Sequence, residues 1–250
     1  MPVTQLPVPT PDGTMDVHLY APDGFGAAPA VIFFADAGGV RPVMGEMAAQ
    51  LATAGYLVAM PNLYYRAGAY EPFDITTLFS IPSERERMRH IIGLAGQDGL
   101  AHDTGALLDE LDGHPARAGT KVGCVGYCMG GNWAFRTAAA HPDRVAAAAS
   151  FHGGNLATDD PGSPHRQAGR VAAWLYFGVA DHDGSCDPES QAELVTALSR
   201  AGVGYQLELY PGAGHGFSVP DNPSYREPAA ERHWRRVTAL FAETLGQPGD

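Results

Sequence analysis

The segment KVGCVGYCMGGNWAFRTAAAHP (121–142) decides the fold of this 250-residue chain. Its apolar beginning, KVGCVGY, runs straight into a glycine-rich turn, and a helix-forming stretch follows at once. Gly126 and Gly130 flank Cys128 at two residues on either side. Glycines at this spacing let a strand and a helix approach closely, and the residue between them is exposed at the tip of the turn. The pattern predicts a nucleophile elbow with Cys128 at its tip.

Short apolar runs alternate with helical patterns on both sides of this segment. The predicted strands are 15–22 (as an edge strand), 30–36, 55–62, 121–127, 144–153, 170–178 and 204–212. The predicted helices are 43–55, 83–96, 103–114, 133–141, 189–202 and 231–246. Most strands are apolar on both sides, as buried parallel strands are. The alternation predicts one α/β domain over 1–250, with a mostly parallel sheet and helices on both faces. The irregular stretch 64–84 is expected to shape a pocket.

Charge and composition exclude several classes of function. The formal charge of −12 and the lack of a Lys/Arg cluster argue against a nucleic-acid interface. The longest apolar runs are too short to span a bilayer, and the first residues do not resemble a signal peptide. Three cysteines without zinc-ligand spacing favour a reduced, cytoplasmic chain with no metal site. The oligomeric state is left open between monomer and homodimer.

Cys128 is predicted to act as a nucleophile because of its place before a helix. Unpaired N–H groups and the helix dipole favour a thiolate there, and the N–H of Met129 is the first expected oxyanion donor. The alternative is a buried apolar cysteine, an interpretation that suits Cys124 inside the strand. Cys186 lies in a polar loop, DHDGSCDPES, and is expected to be open to oxidation.

A thiol needs a base, and elbow proteins carry their partners in the order nucleophile, acid, histidine. His215 stands in a glycine-rich loop, GAGHGF, after the last predicted strand. Asp181 is the first acid after the preceding strand and is the preferred partner, with Asp183 and Asp187 as competitors. His152 follows another strand and is a candidate pocket residue. The remaining histidines considered are expected at the surface: His18, His90, His114, His141 and His233.

Several motifs together resemble the dienelactone hydrolase family of the α/β-hydrolase fold. They are AD (35–36), GYLVAMPNLYYR, YCMGG, GVADHD and GAGHGF, in the family's order along nearly the whole chain. The resemblance implies that fold without a large cap domain, and a triad of Cys128, His215 and Asp181. It also implies a carboxylate that contacts the nucleophile in the resting enzyme; Asp36 stands where the family usually has Glu. Ala37 would supply the second oxyanion N–H. A loop-initiating role is the alternative for Asp36.

The family's type members also hold a substrate carboxylate with two arginines. The one expected just after His215 is missing, and Arg85 or Arg87 is the candidate for the other. Solvated helix charges are the alternative for both. The pocket is expected to be apolar, with contributions from four aromatic residues: Tyr64, Tyr65, Phe79 and Phe217.

The expected activity is cofactor-free hydrolysis of a small ester or lactone through a thioester. Two alternatives stay open. One is a redox-sensing thiol, although no C-x-x-C pair is present. The other is a binding protein that retains the fold without turnover.

Overall fold

The computed structural model describes residues 3–22, 24, 26–94 and 99–246. In this part of the chain eight strands form one sheet. They are β1 (Val3–Thr10), β2 (Gly13–Tyr20), β3 (Ala28–Phe34), β4 (Leu57–Pro61), β5 (Arg117–Tyr127), β6 (Val145–Phe151), β7 (Trp174–His182) and β8 (Tyr205–Gly214). The α-helices are α1 (Pro42–Thr53), α2 (Pro82–Gly93), α3 (Gly99–Asp112), α4 (Met129–Ala140), α5 (Pro188–Ala201) and α6 (Glu227–Leu245).

The strand order is β1-β2-β4-β3-β5-β6-β7-β8. β2 pairs antiparallel with both β1 and β4, and the pairs from β4–β3 to β7–β8 are parallel. The carboxyl ends of the parallel strands therefore meet at one edge of the sheet, where open α/β proteins place their sites. The predicted mostly parallel α/β sheet is confirmed.

Helices cover both faces because the strands carry apolar side chains on both sides. In β3, Ile32 and Phe34 join the core under α3, α4 and α5, whereas Val31 and Phe33 join the core under α1 and α6. This alternation follows from the twofold side-chain period of a strand. The arrangement fixes α4 against β3, β5 and β6, so the start of α4 lies at the carboxyl edge of the sheet.

The prediction that 15–22 forms the edge strand is wrong, because β1 lies outside it. β1 contains Pro7 and Pro9, and proline is disfavoured inside a sheet. An edge strand tolerates proline, since its outward N–H groups need no partner in the sheet. The signal that could have revealed β1 is the turn sequence between Thr10 and Gly13, which joins two strands paired from Val3↔Tyr20 to Thr10↔Gly13.

The irregular stretch after β4 forms a small cover over the carboxyl edge. It includes a short 3-10 helix, Tyr65–Ala67, and continues into α2. Its apolar side chains pack on Ala37 in a separate cluster that includes Tyr64, Phe73 and Ile91. The end of the predicted helix 83–96 falls partly on residues outside the described part. Within the described residues, no helix combines the length and apolar character needed to cross a bilayer.

Candidate active site

Cys128 sits at the tip of the turn between β5 and α4 with a left-handed backbone, φ 55° and ψ −118°. This conformation is unfavourable for a residue with a Cβ and is held by its surroundings. A Cβ on Gly126 would collide with the Gly130 carbonyl, and one on Gly130 would collide with the Phe34 carbonyl. Only glycine at both positions lets the strand and helix close around the turn.

Hydrogen bonds on both sides of Cys128 fix its backbone. Its N–H donates to the Phe151 carbonyl (3.1 Å), and its carbonyl accepts from Gly131 (3.0 Å) and Gly154 (3.3 Å). The N–H of Met129, the first residue of α4, has no acceptor among the described residues. It is therefore free to meet negative charge beside the Cys128 sulfur, where the helix dipole adds to the attraction.

His215 follows β8 directly, and its Nδ1 lies 2.7 Å from Oδ2 of Asp183. Asp183 is the first residue after β7, and its side chain is 2% exposed. The other carboxylate oxygen, Oδ1, accepts the backbone N–H (2.9 Å) and the hydroxyl (2.6 Å) of Ser185. Asp183 is thus held on both oxygens, and its bond to Nδ1 fixes the orientation of the imidazole.

Asp181 does not hold this position, so the preference for Asp181 over Asp183 is wrong. Asp181 is exposed, and its Oδ2 accepts the backbone N–H of Gly212 at 2.9 Å. The physical reason is the length of β7, which continues beyond the predicted end at 178 and pairs His182 with Gly214. Asp181 is therefore a strand residue, and the first acid past the strand is Asp183.

The pKa of His215 is raised to about 10. Burial acts to lower it, but the Cys128 sulfur and the Asp183 carboxylate outweigh burial. The pKa of Asp183 is lowered: burial acts to raise it, and the bonds from His215 and Ser185 prevail. Both shifts favour a protonated His215 bonded to an ionised Asp183.

Asp36 makes no hydrogen bond to Cys128 among the described residues. Instead it forms a clamp with the buried side chain of Arg41, which also binds the partly exposed Asp221. Nη1 and Nη2 of Arg41 donate to Asp36 at 2.5 and 2.9 Å, and Nε and Nη2 donate to Asp221 at 2.8 and 2.9 Å. The expected contact between Asp36 and the nucleophile is not made as a hydrogen bond, because a bidentate guanidinium already satisfies this shorter carboxylate.

The loop after β3 also brings Ala37 to the site. The N–H of Ala37 has no acceptor among the described residues, and its carbonyl accepts the hydroxyl of Tyr64 at 2.9 Å. Tyr64 is 2% exposed, and burial raises the pKa of its phenol well above the usual range, with Asp36 and Cys128 adding to the effect. Tyr64 therefore anchors this loop, and the expectation that it lines the cavity is wrong.

A cavity of about 1330 Å³ opens over the sulfur of Cys128. Its walls near the sulfur include Ala37, Met129, Asp183 and His215. Its apolar wall comes from the cover after β4 and from α4, and includes Leu63, Ile75, Phe79, Met88, Ile92 and Trp133. Phe79 is the one of the four predicted aromatic residues that lines this cavity.

The other predicted pocket residues lie elsewhere. Phe217 is fully buried and stacks on Tyr210, with ring centroids 4.5 Å apart. His152 is 1% exposed, with Nε2 bonded to Ser218 (2.9 Å) and its ring 5.3 Å from that of His215. The positive φ of Gly216, 92°, reverses the chain here and turns residue 217 into the core.

The two candidate arginines also lie outside the cavity wall. Arg87 bonds to Glu84 at 2.6 Å and lies over the ring of Phe73 at 4.0 Å. Arg85 is likewise absent from the wall. The arginines that do line it are Arg89 on α2 and Arg136 on α4, which sequence reasoning missed. The spacing of four that relates residues 128, 132 and 136 was the available signal, since it places them on one helix face.

Three further expectations are corrected by burial. Cys186 was expected to be open to oxidation. It is instead 2% exposed, and burial raises the pKa of its thiol to about 12. His233, expected at the surface, is fully buried, and its Nε2 lies 3.0 Å from the Tyr127 hydroxyl. Burial lowers the pKa of His233 to about 3. His141 is half-buried and bonds to Thr104 at 3.0 Å.

No group of three or more metal-ligating side chains occurs among the described residues. What the described residues present is an elbow, a histidine after the last strand and an acid after the preceding strand, on an eight-stranded sheet. This topology and chain order define an α/β-hydrolase.

Similarity to known proteins narrows this class to a family. The model of the dienelactone hydrolase family matches residues 15–245. A carboxymethylenebutenolidase of Rhodococcus opacus is 27% identical over 234 residues, covering 91% of this chain and 86% of the relative. A crystal structure of a dienelactone hydrolase from Anabaena variabilis superposes with a TM-score of 0.69 at 21% identity, covering 97% and 98% of the two chains. A dienelactone hydrolase-like promiscuous phosphotriesterase from metagenomic libraries gives 0.78 at 23% identity, with the same coverage.

The chain belongs to the dienelactone hydrolase family, and it is a hydrolase of the ester- and lactone-cleaving type.

Proposed function

We propose that this enzyme hydrolyses a small ester or lactone with Cys128 as nucleophile, through a thioester acyl-enzyme. One observation carries the proposal: a cysteine held at a strained helix N-terminus shares a cavity with a histidine that an acid orients. The bond between His215 and Asp183 and the place of Cys128 at a helix N-terminus support a thiolate–imidazolium pair in the resting enzyme. Such a pair supplies a reactive nucleophile at neutral pH without a cofactor.

In the first half of the proposed reaction, the Cys128 thiolate attacks the carbonyl carbon and a C–S bond forms. The carbonyl oxygen becomes an oxyanion, which the N–H groups of Met129 and Ala37 are free to receive. Each such donor is worth about 3 kcal/mol of transition-state stabilisation in related sites. The C–O bond then breaks, and the imidazolium of His215 gives its proton to the departing oxygen.

In the second half, neutral His215 takes a proton from water, and the resulting hydroxide attacks the thioester carbonyl. The C–S bond breaks, the acid leaves, and the thiolate is restored beside the imidazolium. Asp183 stays ionised throughout and keeps Nδ1 protonated, so that Nε2 exchanges the proton. In the tetrahedral intermediate the Cys128 thiolate and the ester oxygen compete to leave, and a thiolate leaves more readily than most alkoxides. Substrates with a stabilised departing oxygen, such as enol lactones or aryl esters, therefore suit this site best.

The redox-sensing alternative is weaker in this geometry. The two other cysteines, Cys124 and Cys186, are 0% and 2% exposed, so neither is accessible as a resolving thiol. The free cysteines fit a reducing environment, and we extend the proposal to a cytoplasmic location.

The test is detection of the acyl-enzyme. Wild-type protein is mixed with p-nitrophenyl acetate, quenched in acid within the first turnovers and measured by intact-mass spectrometry. We expect an added acetyl group on Cys128 that neutral hydroxylamine removes, and no adduct in Cys128→Ala. An adduct on another residue, or full activity in Cys128→Ala, would overturn the nucleophile assignment.

A dienelactone, aryl esters and alkyl thioesters form the substrate panel. Turnover of at least one, lost in both Cys128→Ala and His215→Ala, is the expected result. Failure of the wild-type enzyme to hydrolyse any of them contradicts the ester or lactone assignment.

A further inference from the structure

The wall of the cavity over Cys128 changes character from one side of the nucleophile to the other. On the side of the cover, apolar side chains pack in one cluster with Ala37 and Met129, whose N–H groups are the proposed oxyanion donors. Around His215 and along the loop after β6, most side chains of the wall are polar. The two halves of a bound ester therefore meet different surroundings.

Trp133 forms the apolar side next to the nucleophile. It lies four residues after Met129 on α4, so the two side chains share one face of the helix. The rings of Phe34 and Tyr64 hold the indole edge-on, with ring centroids 6.4 and 6.5 Å away. The indole is only partly buried and lines the cavity. Trp133 thus presents a fixed apolar surface close to the reacting carbonyl.

α2 extends this apolar surface. Met88 and Ile92 are four residues apart, so they lie on one face of the helix, and both are partly exposed and line the cavity. Phe79, just before α2, lines the cavity as well and is 47% exposed. Neighbouring apolar side chains that stay open to solvent inside a cavity are typical of a binding surface for an apolar group.

The polar side chains on the side of the cover do not interrupt this surface. Thr76, Ser80 and Arg89 line the cavity but are exposed, which places them at its rim. Asp103 is buried, and both of its oxygens already accept hydrogen bonds from Arg66, at 2.7 and 2.9 Å. Among the described residues, the interior of this side is therefore apolar.

The side around His215 has the opposite character. A Cβ on Gly216 would collide with the side chain of Asn222, and one on Gly214 would lie 3.1 Å from the Ser224 hydroxyl, so both polar groups flank the histidine. The Ser224 hydroxyl has no hydrogen-bond partner among the described residues and is available to a ligand. The polar side chains nearest His215 on the cavity wall are Asn155, Ser185, Asn222 and Ser224.

We propose that the preferred substrates are esters of an apolar carboxylic acid with a polar hydroxyl compound. This inference rests on the proposed hydrolase function and adds the substrate class. In the tetrahedral intermediate the oxyanion faces the two N–H donors, and the departing oxygen faces His215, which protonates it. The acyl chain runs under the cover against Trp133, Met88 and Ile92, and the hydroxyl compound leaves along the polar wall beside Ser224.

The first test varies the acyl chain with a constant leaving group. The substrates are p-nitrophenyl acetate, butyrate, hexanoate and octanoate, each used below its solubility limit. Dividing kcat/KM by the rate of alkaline hydrolysis of the same ester removes differences in intrinsic reactivity. We expect this normalised value to rise about twofold to fourfold per added CH₂ until the chain fills the space under the cover, because each CH₂ leaves water for an apolar wall.

The second test varies the leaving group at a constant acyl chain. It compares the 3-(hydroxymethyl)phenyl and 3-ethylphenyl esters of hexanoic acid, whose leaving phenols are nearly equal in size and acidity. We expect kcat/KM to favour the hydroxymethyl ester by about threefold or more, because its hydroxyl bonds to the polar wall and the ethyl group has no partner there.

Variants assign each preference to one side of the cavity. Ile92→Ala should lower the hexanoate-to-acetate ratio about fivefold and leave the hydroxymethyl-to-ethyl ratio unchanged. Ser224→Ala should do the reverse. Leu94→Ala is the matched control for Ile92→Ala, because Leu94 is 40% exposed, does not line the cavity and should change neither ratio. Met88→Ala replaces Ile92→Ala if that variant does not fold.

Three outcomes would overturn the substrate class: a normalised rate that does not rise with acyl length, a hydroxymethyl ester that does not exceed its ethyl counterpart, or an equal loss of chain-length preference in Leu94→Ala and Ile92→Ala. Hydrolysis of acetate and hexanoate esters at equal normalised rates refutes only this substrate class. Absence of hydrolysis in both series refutes the proposed function itself.

Discussion

Nδ1 of His215 lies 2.7 Å from Oδ2 of Asp183, while Asp181, two residues earlier, accepts the backbone N–H of Gly212 instead. The carboxylate that orients the imidazole is therefore the first residue past β7 and not a residue of the strand itself. The bond between His215 and Asp183 also ties the loop after β8 to the loop after β7. Ser185, in the loop after β7, bonds to the same carboxylate.

The variant Asp183→Asn should lower kcat/KM by roughly 10²-fold or more. An amide in place of the carboxylate favours the wrong imidazole tautomer and removes the charge that stabilises the imidazolium. Asp181→Asn is the matched control, since its partner is a backbone N–H at the sheet edge, and its kcat/KM should stay within about threefold of the wild type. Steady-state kinetics with an aryl ester measures both. The reverse ranking would restore Asp181 as the partner.

His215 should make the free energy of unfolding depend on pH. Its pKa in the folded protein is raised to about 10, above about 6.5 for an unfolded histidine. The stabilisation is therefore fully present below pH 6.5 and is lost as pH rises from 6.5 to about 10. Urea unfolding at pH 6 and pH 10 should show His215→Gln losing more stability at pH 6. A difference between the two proteins that grows with pH would contradict the ion pair.

Arg41→Gln should destabilise the protein by about 3–5 kcal/mol, because it leaves Asp36 buried without its partner. The side chains of Arg41 and Asp36 are 8% and 3% exposed. The double variant Asp36→Asn with Arg41→Gln should recover part of this loss. Arg87→Gln, which breaks a half-exposed pair with Glu84, is the control and should change stability by less than about 1 kcal/mol. Urea denaturation gives all of these values. Equal losses of stability in Arg41→Gln and Arg87→Gln would argue against the clamp.

Gly130→Ala should abolish esterase activity and lower stability. Its new Cβ would meet the Phe34 carbonyl, which is backbone and cannot move aside, so the elbow would have to open. Gly93→Ala is the control, because nothing lies within 4 Å of a Cβ there. Thermal melts and ester hydrolysis should show the Gly93 variant equal to or slightly more stable than the wild type. Retained activity in Gly130→Ala would show that the turn accommodates a methyl group that its geometry leaves no room for.

Tyr64→Phe tests whether the Ala37 loop must be anchored. Loss of the hydroxyl leaves the Ala37 carbonyl without its 2.9 Å partner, a change worth about 1–3 kcal/mol when buried. We expect kcat to fall about fivefold or more while KM changes little, because the loop's N–H is needed most in the transition state. A change confined to KM would instead assign Tyr64 to substrate binding.

The elements that the sequence revealed are those with a local signature. The parallel strands, the helices between them and the elbow at Cys128 follow from side-chain period and glycine spacing, which neighbouring residues encode. His215 was identifiable for the same reason, because a glycine-rich loop follows the last strand. β1 escaped because its prolines conflict with a strand everywhere except at a sheet edge, and an edge is a property of the whole sheet.

By itself, the sequence determined the α/β fold, the cysteine at the turn and the histidine that faces it. Only the tertiary structure decided between Asp181 and Asp183, because pairing of His182 with Gly214 sets where β7 ends. It alone joined Arg41 to Asp221, which is 180 residues away, and brought Arg136 into the cavity of Cys128. The physical reason is range: a turn is specified by adjacent residues, whereas an ion pair or a cavity wall depends on packing between distant segments.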